Sequence, residues 1–225
     1  MHRLFQRLGA VAFATLAAFA ITLVGQTLWG LMAITNVKLT PAVPWSVAVM
    51  AVVLVAMVAF LTGRIGPNGA ARRALVPLAP VSARAWGWSL AAGGAAVVAA
   101  AALWTVMATI VRVPPNMLPD LKGVPMTTVA PMLVIGVLAA PLTEEIAFRG
   151  YAMSLIRLRF SPTAALVITS VIFAAAHLTQ GLYAPKLVVY FLAGLAFGYV
   201  ALRTGSLLPA MVGHAFGDLT FFTLV

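Results

Sequence analysis

Seven long apolar runs constrain the fold of this chain more than any other feature of its sequence. They cover roughly residues 8–32, 45–63, 85–111, 127–157, 163–180, 186–203 and 207–225. About 20 residues of α-helix cross the hydrocarbon core of a bilayer once. Since lipid offers no hydrogen bonds, the backbone of each run must satisfy its own polar groups, which a helix does. We therefore predict an all-α fold, a polytopic transmembrane helix bundle of about seven spans.

Composition and charge agree with a membrane protein. Hydrophobic residues make up 63% of the chain and charged residues 8%, against roughly 45–50% and about 25% in soluble domains. The net charge of +10, from 14 basic and 4 acidic residues, would indicate nucleic-acid binding in a soluble domain. Here the basic residues lie between apolar runs, so we expect the lipid bilayer as partner and no nucleic acid. The absence of cysteine excludes disulfides and thiolate chemistry.

The distribution of basic residues predicts an orientation. With the N-terminus in the cytoplasm, most of them fall on the inner side: Arg3, Arg7, Arg64, Arg72, Arg73, Arg84, Arg149, Arg157, Arg159 and Arg203. Only Lys38, Arg112, Lys122 and Lys186 then fall outside. The excess of basic residues on one side persists when the intramembrane Arg149 is left out. Since the cytoplasmic loops of membrane proteins carry more Lys and Arg than the outer loops, this side is the cytoplasmic one. We expect an integral protein of a bacterial plasma membrane.

The fourth run is too long for one straight span. Residues 127–157 at ~1.5 Å per residue would reach roughly 45 Å, well beyond a ~30 Å core. Pro141 lies in the middle of the run, and Thr143 behind it is a candidate N-cap. We therefore predict a broken fourth helix, with a kink or a restart near Pro141. Lipid tolerates such a break only beside other helices or a polar cavity, so it indicates an interior polar site.

Ionisable residues inside the predicted spans are the strongest functional signal. Three of the four acids and two of the three histidines lie there: Glu144, Glu145, Asp218, His177 and His214. Each costs at least roughly 2.5–3.5 kcal/mol at the bilayer centre, so such residues face a bundle interior and mark function. A hydrogen-bonded structural role is the alternative, but two histidines together with two unpaired acids make it the weaker reading.

The spacing of these residues predicts pairs on shared helix faces. Glu145 and Arg149 are four apart, so they can form a structural ion pair. Glu144 then points roughly 100° away and is free to contact another helix. His214 and Asp218 are also four apart and share a face.

Three short motifs resemble those of a known family. Glu144-Glu145 followed by Arg149 resembles EExxxR, Phe173 with His177 resembles FxxxH, and His214 with Asp218 resembles Hxxx(Asn/Asp). In this order they are similar to the CPBP (CAAX protease and bacteriocin-processing, or Abi) intramembrane endopeptidases. Asp218 stands where the prenyl-protein endopeptidase branch has Asn. The resemblance implies one transmembrane domain over 1–225, with motif-free spans in 1–126 and a catalytic core in 127–225.

The resemblance implies hydrolysis of peptide bonds in membrane-embedded or lipidated, including prenylated, substrates. Glu144 would act as general base on a water, with His177 holding that water and passing on its proton. His214 and the side chain at Asp218 would stabilise the oxyanion, although an ionised carboxylate cannot donate a hydrogen bond to it. Glu145, Arg149 and Phe173 would support these groups.

Other chemistries remain open at this point. Glu144, His177, His214 and Asp218 are also a donor set suited to catalytic zinc, as in a metalloprotease. We favour a metal-free or labile-metal site. The same ionisable residues could instead serve a proton- or ion-coupled transporter. A catalytically silent binding protein of the bacteriocin-immunity type would keep the fold without cleavage.

Overall fold

The computed structural model describes residues 2–110, 121–180 and 184–224, and these residues form helices joined by turns. The helices are α1 (His2–Leu39), α2 (Trp45–Leu61), α3 (Gly69–Leu75), α4 (Ala83–Ile110), α5 (Met126–Glu144), a π-helical segment (Glu145–Ala152), α6 (Met153–Arg157), α7 (Pro162–Ala176), a 3₁₀ turn (His177–Gln180), α8 (Ala184–Thr204) and α9 (Leu208–Leu224). No strand occurs in these residues. The prediction of an all-α fold is confirmed.

Several helices are long and apolar enough to cross a membrane. Four satisfy both criteria among the described residues: Leu4–Leu39, Ala83–Ile110, Met126–Arg157 and Lys186–Thr204. Trp45–Leu61 and Pro162–Ala176 are shorter apolar helices. The protein is therefore an integral membrane protein, and the number of seven spans stays a prediction. Residues 111 and 225, at the ends of two predicted spans, lie outside the described residues.

The irregularity in the fourth predicted span takes a different form from the one expected. The helix runs through Pro141 and continues to Glu144. The Thr143 hydroxyl donates to the Ala139 carbonyl within the helix at 2.8 Å, so the expected N-cap and a restart at Pro141 are wrong, and a kink at Pro141 stays a prediction. The backbone instead becomes π-helical over Glu145–Ala152. Single π-helical turns are rare and often lie at functional sites, and this one carries the Glu145 and Arg149 side chains.

A buried asparagine organises the turn between α1 and α2. The Asn36 amide donates to the Thr40 and Val43 carbonyls at 2.9 and 2.8 Å, and its oxygen accepts from the Ser46 backbone N–H at 2.9 Å. Burying this side chain is favourable because all these bonds are made. The contacts fix α2 against the end of α1.

Close packing between α7 and α8 rests on two glycines of α8. A Cβ at Gly194 would lie 3.0 Å from the Cα of Ser170, and one at Gly198 would collide with Leu166. Small residues let the backbones of membrane helices approach closely. Close approach stabilises the pair through dispersion contacts, because lipid provides no hydrophobic driving force between helices. The close approach brings the Gly194 backbone beside the π-helical segment.

The main apolar core is formed by α1, the π-helical segment, α7, α8 and α9. Its largest fully buried side chains include Phe148, Phe173, Ile146 and Leu207. Three hydrogen bonds join the α2–α4 region to this core: Tyr151 Oη to the Leu61 carbonyl at 2.8 Å, Ser154 Oγ to the Leu75 carbonyl at 3.0 Å, and the Leu207 N–H to the Pro77 carbonyl at 2.9 Å. The segments on both sides of residue 126 therefore pack together.

Candidate functional site

Glu144 lies at the end of α5, where it meets side chains from three other helices. Nε2 of Gln26 in α1 donates to Glu144 Oε1 at 3.0 Å. The other carboxylate oxygen, Oε2, lies 4.0 Å from Nε2 of His177 and 3.8 Å from Nε2 of His214. Glu144 is 3% exposed. A carboxylate with one oxygen held and the other facing two imidazoles is oriented for proton transfer.

His177 directly follows α7 and begins the 3₁₀ turn, and its ring is oriented by a carbonyl of α7. Nδ1 lies 2.8 Å from the Phe173 carbonyl. Since a carbonyl can only accept, Nδ1 carries the proton of this bond, and Nε2 of the neutral ring is left as an acceptor on the side of Glu144. The Tyr190 ring of α8 stacks on the imidazole with centroids 3.6 Å apart. The ring is thus fixed by a hydrogen bond and a stacked partner.

Glu145 links the π-helical segment to α9. Its Oε1 accepts from Nη1 of Arg149 at 2.9 Å and from Nδ1 of His214 at 2.8 Å. Glu145 is fully buried, and its Oε2 has no hydrogen-bond partner among the described residues. The expected pairing with Arg149 is present, and the same oxygen also orients His214. Nε2 of His214 is consequently directed toward Glu144 and Asp218.

The buried Arg149 guanidinium has further partners. Nη2 donates to the Gly194 carbonyl at 3.3 Å, and the guanidinium carbon lies 4.3 Å from the centroid of the Phe173 ring. Phe173 also meets the rings of His177 and His214 edge-on, with centroids 4.7 and 6.0 Å apart. Phe173 therefore packs between both histidines and the arginine.

Asp218 lies at the more open end of the cluster. Its Oδ1 is 3.6 Å from Nε2 of His214, one turn earlier on α9. The Asp218 side chain is 26% exposed, whereas those of its neighbours are almost fully buried. This separation is longer than a hydrogen bond, so a small group can approach Nε2 of His214.

A small cavity adjoins Glu144 and His177. Its volume is about 50 Å³, and it is lined by Phe19, Thr22, Leu23, Gln26, Glu144, Phe148, Ala176 and His177. A site for one water needs roughly 10–15 Å³ and two or more polar partners. The cavity meets both requirements, and α1 forms one of its walls.

The donor set does not fit a metal ion in this arrangement. In the part of the chain that the structure describes, no group of three or more histidine, cysteine, aspartate or glutamate side chains is placed to hold one. We therefore derive no step through a metal.

The structure brings together all the residues singled out in the sequence: Glu144, Glu145, Arg149, Phe173, His177, His214 and Asp218. It adds three that sequence reasoning missed. Gln26 bonds Glu144, Tyr190 stacks on His177, and the Phe197 ring stacks on His214 with centroids 4.8 Å apart. Gln26 left a signal, since an amide in the middle of an apolar run is costly unless it is hydrogen-bonded. The two aromatic residues left none.

Comparison with known proteins agrees with the position of this cluster. Residues 126–220 match the family described as type II CAAX prenyl endopeptidase Rce1-like. No curated protein and no solved structure matches the chain. Glu144, His177, His214 and Asp218 all lie inside the matched range, whereas Gln26 lies outside it. Residues 126–220 thus match the Rce1-like family, consistent with a CPBP family intramembrane protease of the CAAX type.

Proposed function

We propose that this protein is an intramembrane endopeptidase that hydrolyses peptide bonds of membrane-associated or prenylated substrates with a water activated by Glu144. One observation carries the proposal. The carboxylate of Glu144 and the imidazoles of His177 and His214 come from three different helices and approach within 4.0 Å in a buried site. Ionisable groups gathered at such cost inside a membrane protein mark function, and the matched family supplies the reaction class.

The cavity beside Glu144 supports a position for the attacking water. A water between Oε2 of Glu144 and Nε2 of His177 would donate one hydrogen bond to each, because both atoms are acceptors. The gap of 4.0 Å between the two atoms fits a bridging water better than a direct bond. Both hydrogens of that water are then engaged, and a lone pair of its oxygen is free for a carbonyl carbon.

Hydrolysis follows from this arrangement in two steps. The water oxygen bonds to the substrate carbonyl carbon while its proton passes to Glu144, which leaves a tetrahedral oxyanion. The carbon–nitrogen bond then breaks, and the proton passes from Glu144, with His177 as relay, to the leaving amine. Atoms and charge balance without any further reactant.

His214 is the proposed donor to the oxyanion. Glu145 holds the His214 ring through Nδ1, and Nε2 lies on the open side toward Asp218. When the ring is a doubly protonated imidazolium, Nε2 carries a proton and can donate a hydrogen bond to the oxyanion. Donors that are oriented before the reaction stabilise the developing charge most effectively. In this scheme Asp218 orients His214 or donates as the neutral acid.

Turnover of a defined substrate tests the proposal. The protein is reconstituted in liposomes with either a prenylated peptide that ends in a CAAX sequence or an unprenylated transmembrane peptide, and products are identified by mass spectrometry. Cleavage of the first substrate alone would place the enzyme with prenyl-protein processing, and cleavage of the second would indicate a broader specificity. Absence of any cleavage with both substrates and with a solubilised membrane proteome would favour the transporter or the silent binding protein.

A further inference from the structure

A second polar feature lies away from the candidate active site, at the start of α1 and between the end of α6 and the start of α7. A cavity of about 360 Å³ is lined by Gln6, Arg7, Arg157, Leu158, Arg159 and Phe160. Its volume lies in the range of roughly 300–1,000 Å³ that is typical of ligand sites. The lining comes from two distant parts of the chain, the start of α1 with Arg7 and the segment between α6 and α7 with Arg157 and Arg159.

Among the residues that the structure describes, no acid pairs with these arginines. Glu144, Glu145 and Asp218 lie in the candidate active site, and Asp120 lies outside the described residues. Among described side chains, the Arg7 guanidinium contacts the Phe160 ring at 5.4 Å, and no described carboxylate pairs with any of the three. By contrast, Arg72 donates to the Phe60 and Ile65 carbonyls, and Arg73 to that of Gly63. The three lining arginines therefore leave a concentrated positive field in the cavity.

The backbone holds two of these arginines on a defined turn. Arg159 N–H and Phe160 N–H both donate to the Ile156 carbonyl, at 2.9 and 3.0 Å. Ser161 then caps α7 by accepting from the Ala164 N–H at 3.2 Å, with Pro162 at the first helical position. Arg157 and Arg159 line the cavity together with Arg7 of α1. Their three guanidinium groups can therefore present several forked N–H donors to one ligand.

The surroundings of the cavity are those of a bilayer surface. Arg7 lies near the start of the span Leu4–Leu39, and Arg157 ends the span Met126–Arg157. Large apolar side chains are exposed beside them: Leu4, Phe5, Leu8 and Leu158, all more than half exposed. Apolar residues next to an arginine pocket at a helix end suit a molecule with acyl chains and an anionic headgroup.

We propose that this cavity is a binding site for a phosphate group, supplied by the headgroup of an anionic phospholipid of the adjacent leaflet. Arginine guanidinium groups bind phosphate oxygens in pairs of parallel hydrogen bonds, and these charge-assisted bonds are among the strongest in proteins. The lipid ties α1 to the α6–α7 turn. The site is separate from the chemistry proposed for Glu144.

Binding of short-chain phosphatidylglycerol to the purified protein in neutral detergent tests this site. We expect the affinity of Arg157→Gln/Arg159→Gln to fall about tenfold or more, since two charge-assisted interactions are lost. The matched control is Arg84→Gln/Arg203→Gln, which removes the same charge at two equally exposed positions outside the cavity and should change affinity less than about twofold. Arg157→Lys/Arg159→Lys should bind with intermediate affinity, because charge remains and the forked donors do not.

Three outcomes would overturn the proposal. An equal loss of lipid affinity in Arg157→Gln/Arg159→Gln and in Arg84→Gln/Arg203→Gln would mean that net charge alone attracts the lipid. Equal affinity of wild type and Arg157→Gln/Arg159→Gln would show that the cavity does not bind the lipid. Saturation by inorganic phosphate alone, with the same dependence on Arg157 and Arg159, would replace the lipid by free phosphate as the ligand. Thermal unfolding without lipid shows that each variant is folded before its affinity is compared.

Discussion

Nδ1 of His214 donates to Oε1 of Glu145 across 2.8 Å, and the two residues are 69 positions apart in the sequence. The bond joins α9 to the π-helical segment. The same oxygen accepts from Arg149, so one carboxylate neutralises a buried cation and orients an imidazole. The spacing of the residues indicated only the first of these roles. Glu145 is therefore a positioning residue in the proposed mechanism, and Glu144 beside it is the base.

Glu144→Gln is expected to reduce turnover at least about 100-fold, because an amide cannot accept the proton of the attacking water. The unfolding temperature should stay close to that of the wild type, since Gln keeps the size and an oxygen for Gln26. Asp120→Asn is the control, because it also converts a carboxylate to an amide but lies outside residues 126–220. Equal turnover by wild type and Glu144→Gln would remove Glu144 from the role of base.

Glu145→Gln is expected to lose both stability and activity. The Arg149 guanidinium would be left buried without a counter-charge, and breaking a buried pair on one side costs about 3–5 kcal/mol. Unfolding by denaturant in mixed micelles measures the loss. Glu145→Met/Arg149→Met should recover stability but not activity, because Nδ1 of His214 then loses the oxygen that orients its ring. An unchanged unfolding midpoint for Glu145→Gln would contradict the ion-pair interpretation.

Gln26→Met tests the contribution of α1 to the site. The change keeps the length of the side chain but removes the hydrogen bond to Oε1 of Glu144. A hydrogen bond to a charged group is worth about 1.5–3 kcal/mol, so we expect kcat to fall at least about tenfold with KM little changed. Thr15→Val is the control, because within the described residues the Thr15 hydroxyl donates to the Val11 carbonyl of its own helix and not to the site. Unaltered kcat in Gln26→Met would show that Gln26 only fills space.

Removal of metal tests the proposed chemistry. We expect activity to survive exhaustive chelation and elemental analysis to find well below one zinc per chain, since Glu144 and His177 suffice to activate water. Asp218→Asn should be tolerated, because a neutral amide can donate to an oxyanion, whereas His214→Ala should lose turnover. Stoichiometric zinc that is lost together with activity, and restored with it, would establish the metalloprotease alternative.

Reporter fusions test the proposed orientation, in which the N-terminus lies in the cytoplasm. A reporter in the 64–84 loop should read as cytoplasmic, because this segment carries much of the positive charge. A reporter after Val225 should read as extracytoplasmic if the chain crosses the membrane seven times. Opposite results at both positions would invert the orientation, and disagreement at Val225 alone would change the number of spans.

The sequence by itself determined the helical membrane fold and most of the residues that meet in the site. Both follow from the same physical constraint. The hydrocarbon core forces apolar runs into helices and makes each ionisable side chain within them costly, so Glu144, His177 and His214 stand out without any structure. Spacing of four residues then predicted the pairing of Glu145 with Arg149.

Only the tertiary structure decided which groups those side chains contact. Gln26 reaches Glu144 from 118 residues away, and no local pattern encodes such a distance, because helix packing determines it. The local effect of Pro141 predicted a kink or a restart of the helix. The helix instead continues through Pro141 and becomes π-helical at Glu145. Close packing at Gly194 brings its carbonyl to Arg149. Local spacing determines which residues share a helix face, and packing between helices determines what that face meets.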